Sequence, residues 1–195
     1  MKPFSQACEN NKTPILSVLE KHLPNAKSVL EIGSGTGQHA VYFAHELPYL
    51  HWQPSDLEHN LAGISSWVDE YALPNVKTPI KLNIDQEWPG EKYDAVFTAN
   101  TFHIVSWQQV RTLIENASNM LKPQGLLIVY GPFNYNGAFT SESNANFQQW
   151  LQARDPLSGI RDFEQVNAIA EQANLALIAD HAMPANNRTL VWERL

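Results

Sequence analysis

Residues 28–47 read "SVLEIGSGTGQHAVYFAHEL", a short apolar run, then a turn with three glycines, then apolar residues at helical spacing. A buried strand that enters a glycine turn and leaves as a helix is the opening βα unit of a nucleotide-binding sheet. A dinucleotide turn has the pattern G-x-G-x-x-G/A, whose last small residue lets helix and strand pack closely. Counted from Gly33 and Gly35 that position is Gln38, and the third glycine stands one place early, at Gly37. The pattern therefore counts against a nicotinamide cofactor, which remains the weaker alternative.

Outward from this unit, strand-like and helix-like segments alternate. Thr13-Pro14 predicts a helix start, with the helix running to about His22. "HWQPSD" predicts a short strand interrupted by Pro54, "IKLNID" a third strand and "YDAVFTAN" a fourth. Ser106 and Gln109 form a capping box for a helix that stops at Pro123 and Gly125, and "LLIVYG" is the fifth strand. Asp162 and Gln165 predict a further capped helix before "LALIADHAM" and "TLVWER", two strands joined by "PANNR". This order predicts an α/β fold, a doubly wound Rossmann-like sheet of seven mostly parallel strands with an antiparallel last strand. Ligands of such sheets bind beyond the carboxyl ends of the strands, here residues 31–38, 55–57, 83–86, 99–104 and 130–136.

Composition narrows the partners. The chain of 195 residues fits one domain, 1–195, and its formal net charge of −7 with 13 scattered Lys and Arg offers no basic stripe for nucleic acid. The single cysteine, Cys8, excludes an internal disulfide and is read as a spectator. No apolar run approaches the ~18 residues of a membrane span, and the start "MKPFSQACEN" lacks the apolar core of a signal peptide. The expectation is a cytoplasmic protein with a small-molecule substrate, no nucleic acid or membrane partner, and a monomeric or homodimeric state left open. His39, His45, His51 and His59 have no metal-ligand spacing, so no metal is expected.

The turn fits E-x-G-x-G-x-G, with Glu31 leading into Gly33, Gly35 and Gly37, and here the chain resembles the class I S-adenosylmethionine-dependent methyltransferases. "ACENNKTPIL", "WQPSD", "NTFHI", "ARDPLSGIRD" and "MPANNRTLVW" narrow the resemblance to the DUF938 family of methyltransferase-like proteins, over nearly the whole chain. The resemblance implies a class I methyltransferase fold and S-adenosylmethionine as cofactor. It implies no particular methyl acceptor.

Glycines let the backbone approach the ligand, and free N–H groups at the helix start can face its carboxylate. Glu31 suits the cofactor's amino end. Asp56 ends the second strand, where an acid accepts both ribose hydroxyls. By the family pattern Asp85 accepts from the adenine amino group and Asn100 completes the order. Ser34, His39, Leu57 and Asn83 adjoin these positions and are expected to touch the cofactor with them.

Methyl transfer needs a positioned nucleophile and, where that nucleophile carries a proton, a base. His103, just beyond the fourth strand, is the candidate catalytic base; the duller reading is a histidine that braces its loop. The residues "NTFH" depart from the [N/D]-P-P-[Y/F] tetrad used on planar amino groups, which disfavours that substrate class. Residues 132–161 form an insertion expected to act as a lid on the substrate side. Tyr130, Tyr135, Asn144 and Arg154 are the substrate-side candidates, with Arg154 suited to a carboxylate or phosphate unless it pairs with Asp155. Residues 1–25 are an N-terminal cover segment and helix, from which Asn11 and Lys12, beside Glu9, could close the site or simply be solvated. The expected activity is methyl transfer to a small molecule; the alternative is a non-catalytic S-adenosylmethionine-binding module.

Overall fold

The computed structural model describes residues 2–195. In chain order it contains α1 (Gln6–His22), β1 (Ser28–Ile32), α2 (Gln38–Glu46), β2 (His51–Asp56), α3 (Glu58–Tyr71), β3 (Ile80–Lys81), β4 (Tyr93–Ala99), α4 (Trp107–Met120) and β5 (Leu121–Gly131). There follow β6 (Phe133–Asn134), α5 (Glu142–Arg154), β7 (Arg161–Asp162), α6 (Phe163–Gln172), β8 (Leu175–Met183), a 3-10 turn at Pro184–Asn186 and β9 (Asn187–Arg194).

Seven strands lie in the order β3-β2-β1-β4-β5-β9-β8, with β6 and β7 in a separate two-stranded ribbon. The first five neighbours run parallel, and β9 is antiparallel to both β5 and β8. This is the expected mostly parallel sheet with a reversed last strand. Period-two alternation splits the central strands between two cores. Leu30, Ile32 and Val96 face the side carrying Val110, Leu113 and Val166 of α4 and α6. Val29, Ala95 and Phe97 face Leu19 of α1 and Phe43 of α2. The chain reverses its direction of travel across the sheet between β1 and β4, which opens a crevice at their carboxyl ends.

The structure corrects several boundaries. Thr13 does not cap the first helix: Ser5 does, accepting from the Cys8 N–H at 3.4 Å, and Pro14 lies inside α1. The carbonyl that Pro14 leaves without its usual donor belongs to exposed Asn10, where water can replace the bond. Pro54 does not interrupt β2, which pairs with β1 from Ser28↔His51 to Ile32↔Ser55. On its other edge Pro54 sits between the Trp52↔Val76 bridge and the Ser55↔Ile80 pairing, a gap that needs no N–H. The third strand shrinks to Ile80–Lys81. Pro123 and Gly125 do not follow α4 as a loop but lie within β5, as a bulge between Tyr93↔Leu121 and Ala95↔Leu126. The Ser106–Gln109 capping box of α4 forms in both directions, at 3.2 and 3.0 Å. Asp162 precedes α6 but its carboxylate accepts from the Gln165 side chain instead of capping the backbone.

Candidate functional site

A cavity of about 470 Å³ opens at the carboxyl ends of β1, β2 and β4, and the post-β1 turn forms one wall. The three glycines of that turn all have positive φ, yet they do different work. At Gly33 a Cβ would lie 2.9 Å from Thr101 Oγ1, so the residue must be small for the post-β1 and post-β4 loops to meet. At Gly35 a Cβ would meet nothing within 4 Å; the residue borders the cavity and leaves its backbone open to a ligand. Gly37 does not line the cavity. It caps α2 at φ 89, and a Cβ there would stand 3.0 Å from the Ile64 Cα, so its task is to bring α2 against α3.

Glu31 and Ser34 lie beneath the turn and do not line the cavity. The Glu31 carboxyl is fully buried, and it accepts from Trp52 Nε1 at 3.0 Å and from Ser34 Oγ at 2.9 Å. Burial pushes Glu31 up to about 7, against the pull of those two donors. Ser34 is also tied to β2: its N–H donates to Ser55 O and its Oγ accepts from Ser55 N. Glu31 therefore fastens the turn to the sheet and does not border the cavity where the cofactor's amino end was expected.

Asp56 does border the cavity. One oxygen accepts from Gly35 N at 2.7 Å, and the other accepts from Leu57 N at 2.7 Å and Asn60 Nδ2 at 2.9 Å. These donors fix the carboxylate at the rim of the glycine turn and leave one lone pair, on the oxygen that the Gly35 N–H holds, for a sugar hydroxyl. Leu57, Asn83, Asp85 and Asn100 line the same cavity. Asp85 accepts from Gln109 Nε2 at 2.7 Å, and its N–H donates to Asn83 Oδ1. Asn100 takes a left-handed conformation, φ 59, and donates its N–H to Tyr130 O, which turns the chain into the cavity. Gln109, read in the sequence only as a cap, is thus also a wall residue, as are Thr101 and Ile104.

His103 follows in the same loop but points away from this cavity. It is buried against Phe147, ring centroids 5.2 Å apart, and its Nδ1 would be 3.7 Å from a Cβ on Gly131. Burial first, and the nearby Arg161 charge second, lower His103 to about 4, so the imidazole is neutral at physiological pH.

The remaining candidates do not line the cavity. His39 packs on Phe43 and its Nε2 is 2.7 Å from Asn11 Oδ1; burial lowers it to about 4. Asn11 also meets the Tyr130 hydroxyl, so these three join α1 to α2 and β5. Lys12 pairs with Glu9 on the outer face, over the Tyr42 ring, in a separate depression of about 220 Å³. The Tyr135 hydroxyl donates to Asp180, which also pairs with Arg188. Asn144 donates to Thr140 Oγ1 and Asn186 O, and Arg154 lies 4.5 Å above the Trp150 ring. The polar ends of all but Arg154 are thus engaged within the protein; Arg154 is exposed and meets the Trp150 ring alone, with no ion pair to Asp155.

The residues present fit S-adenosylmethionine: an open backbone at Gly35, an acid at Asp56 and a second acid at Asp85 surround one cavity. Among the described residues no group of three or more His, Cys, Asp or Glu could hold a metal ion, and no helix is long and apolar enough to cross a membrane.

Solved structures share the fold. An O-methyltransferase family protein from Burkholderia thailandensis matches with a TM-score of 0.85 at 18% identity, over 96% of this chain and 57% of that one. The mitomycin 7-O-methyltransferase matches at 0.82 and 15%, over 95% and 54%. Human N-acetylserotonin methyltransferase, solved in complex with S-adenosylmethionine, matches at 0.80 and 13%, over 97% and 53%. The chain thus spans a little over half the length of these proteins. At such identities the likeness shows the fold, a class I methyltransferase fold. The model of the family described as "Protein of unknown function (DUF938)" matches residues 2–194, and the chain belongs to that family.

Proposed function

We propose that this protein is an S-adenosylmethionine-dependent methyltransferase that acts on a hydroxyl group of a small molecule. The observation that carries the reading is the placement of Asp56: a carboxylate held by the Gly35 N–H at the rim of a 470 Å³ cavity, within the ~300–1,000 Å³ range of small-molecule sites. S-Adenosylmethionine, when bound, supplies an electrophilic methyl group on a cationic sulfur.

The chain's own residues would divide the work. The Gly35 backbone and Asp56 would hold the nucleoside by its sugar, and Asp85, oriented by Gln109, would accept from the base. Leu57 and Ile104 would cover the ring faces and exclude water. A hydroxyl acceptor must lose a proton as its oxygen gains carbon. That proton would leave to water at the cavity mouth, because the His103 ring is buried against Phe147 away from the cavity, and burial and the Arg161 charge oppose its protonation. The printed names of two of the solved neighbours, both O-methyltransferases, favour oxygen over nitrogen or sulfur as the acceptor atom.

The test is incubation of the protein with methyl-labelled S-adenosylmethionine and a panel of hydroxylated, amino and thiol metabolites. Label on hydroxylated compounds alone is the expected result. Label on amines or thiols alone would overturn the acceptor class.

A further inference from the structure

The loop between β4 and α4 both walls the cofactor cavity, through Asn100, Thr101 and Ile104, and carries His103. Its amide groups close a local turn, with Ile104 N and Val105 N both donating to Thr101 O. Its carbonyls turn the other way, and four consecutive ones end on a single distant segment. Phe102 O accepts from Arg161 Nε at 3.0 Å, and His103 O accepts from Gly159 N at 2.9 Å. Ile104 O accepts from Ser158 Oγ at 2.6 Å, and Val105 O accepts from the Arg161 guanidinium. The same guanidinium reaches Leu157 O at 2.9 Å, which folds its own segment around it.

Resting on the reading of the cavity as the cofactor site, we infer that Arg161 is a positioning residue for methyl transfer: it clamps the carbonyls of Phe102 and Val105, at the two ends of the run that Ser158 and Gly159 hold between them, and so sets both the cavity wall and the His103 ring. Arg161 lies in β7, paired with Phe133 of β6 just beyond the end of β5, so the clamp joins the loops that follow the two central strands. The second anchor runs to α5, where Ile160 N donates to Gln148 Oε1 at 2.7 Å. A Cβ at Gly159 would come within 2.9 Å of that Gln148 side chain, so the segment is packed as closely as it is bonded.

The chemistry explains why arginine stands here. Among the described residues no carboxylate pairs with Arg161; its part-buried charge is met by carbonyl dipoles alone. Burying a cation without an anion is costly, and only a planar fork with several donors spreads it over three carbonyls pointing from different directions. A lysine ammonium offers charge without that reach. The position also matters electrostatically, because Arg161 is the charged group that acts on the buried His103 and opposes its protonation.

Two substitutions separate clamp from charge, read by calorimetry with S-adenosylhomocysteine and by NMR titration of the His103 ring. Arg161→Gln is expected to weaken binding roughly tenfold, as lost hydrogen bonds from a charged donor should, and to move the His103 titration upward. Arg161→Lys is expected to weaken binding while leaving that titration near its wild-type position. A role in stability alone would lower the melting temperature and leave the His103 titration of the folded Gln variant unchanged, and wild-type affinity together with that result would overturn the inference. Should Arg161→Gln fail to fold, Arg161→Lys decides by affinity: weakened binding supports the clamp and unchanged binding overturns it. If the wild-type protein binds no S-adenosylhomocysteine, the methyltransferase reading falls, and the His103 titration in the variants still decides whether Arg161 governs that ring.

Discussion

At the scale of single residues, Asp56 is the side chain on which the nucleoside reading rests. Asp56→Ala should weaken binding of S-adenosylhomocysteine by roughly 1.5–3 kcal/mol, the loss of a charge-assisted hydrogen bond, measured by calorimetry; unchanged affinity would place the ribose elsewhere. The buried histidines also set a pH dependence. His39 and His103 titrate near 4 in the fold against 6.5 ordinarily, so the unfolded chain binds more protons between those values. Stability is then full above pH 6.5 and is lost as pH falls toward 4. Glu31, raised from 4.5 to about 7, acts in the opposite sense and loses stability as pH rises through that window. Two histidines outweigh one carboxyl, so urea melts should show a net loss on acidification from pH 6.5 to 4.5. His39→Gln should flatten that slope by roughly 2–3 kcal/mol over the window.

At the scale of elements, the sequence made some features legible and hid others for identifiable reasons. The β1–turn–α2 unit was readable because glycine spacing reports a backbone requirement directly, and the Ser106–Gln109 box because both partners lie within one turn of helix. The structure reveals that Gln109 has a second partner, Asp85, 24 positions earlier, which no local pattern encodes. Pro14 misled because a proline marks a helix start only when nothing earlier caps, and Ser5 does. Glu31 misled differently: its motif is right, but fold-level contacts with Trp52 bury it under the turn. His39, Asn11 and Tyr130 stand near the site in the sequence order of the elements, yet they bond to one another. The carbonyl clamp of residues 158–161 was invisible, since a main-chain acceptor leaves no trace in the sequence. Two element-level tests follow. Gly37→Ala forces a Cβ onto the Ile64 backbone at φ 89 and should destabilise the α2–α3 contact by about 1–3 kcal/mol in denaturant melts. Gln109→Ala should lose about 1 kcal/mol of stability through the cap and, separately, weaken cofactor binding through Asp85.

At the scale of the whole molecule, the sheet order and the two-sided core carry the cavity at the carboxyl ends of β1, β2 and β4, where the following loops, Asn60 of α3 and Gln109 of α4 complete its wall. Asp56 ends β2 and Asn100 follows β4, while Trp52 and Phe97 within those strands are fully buried. The site therefore joins the ends of three central strands to two helices, and binding should stabilise the fold as a unit. At a ligand concentration of 100 times the dissociation constant, linkage adds about 2.7 kcal/mol. For a domain of this size that corresponds to a rise of roughly 5–10 °C in melting temperature.

The central claim is that the turn at Gly33–Gly37 and the carboxylate of Asp56 form a nucleoside site. Titration of the wild-type protein with S-adenosylhomocysteine in a calorimeter tests it most directly. Saturable binding at one site per chain is the expected result; no measurable binding at millimolar ligand would rule the nucleoside site out.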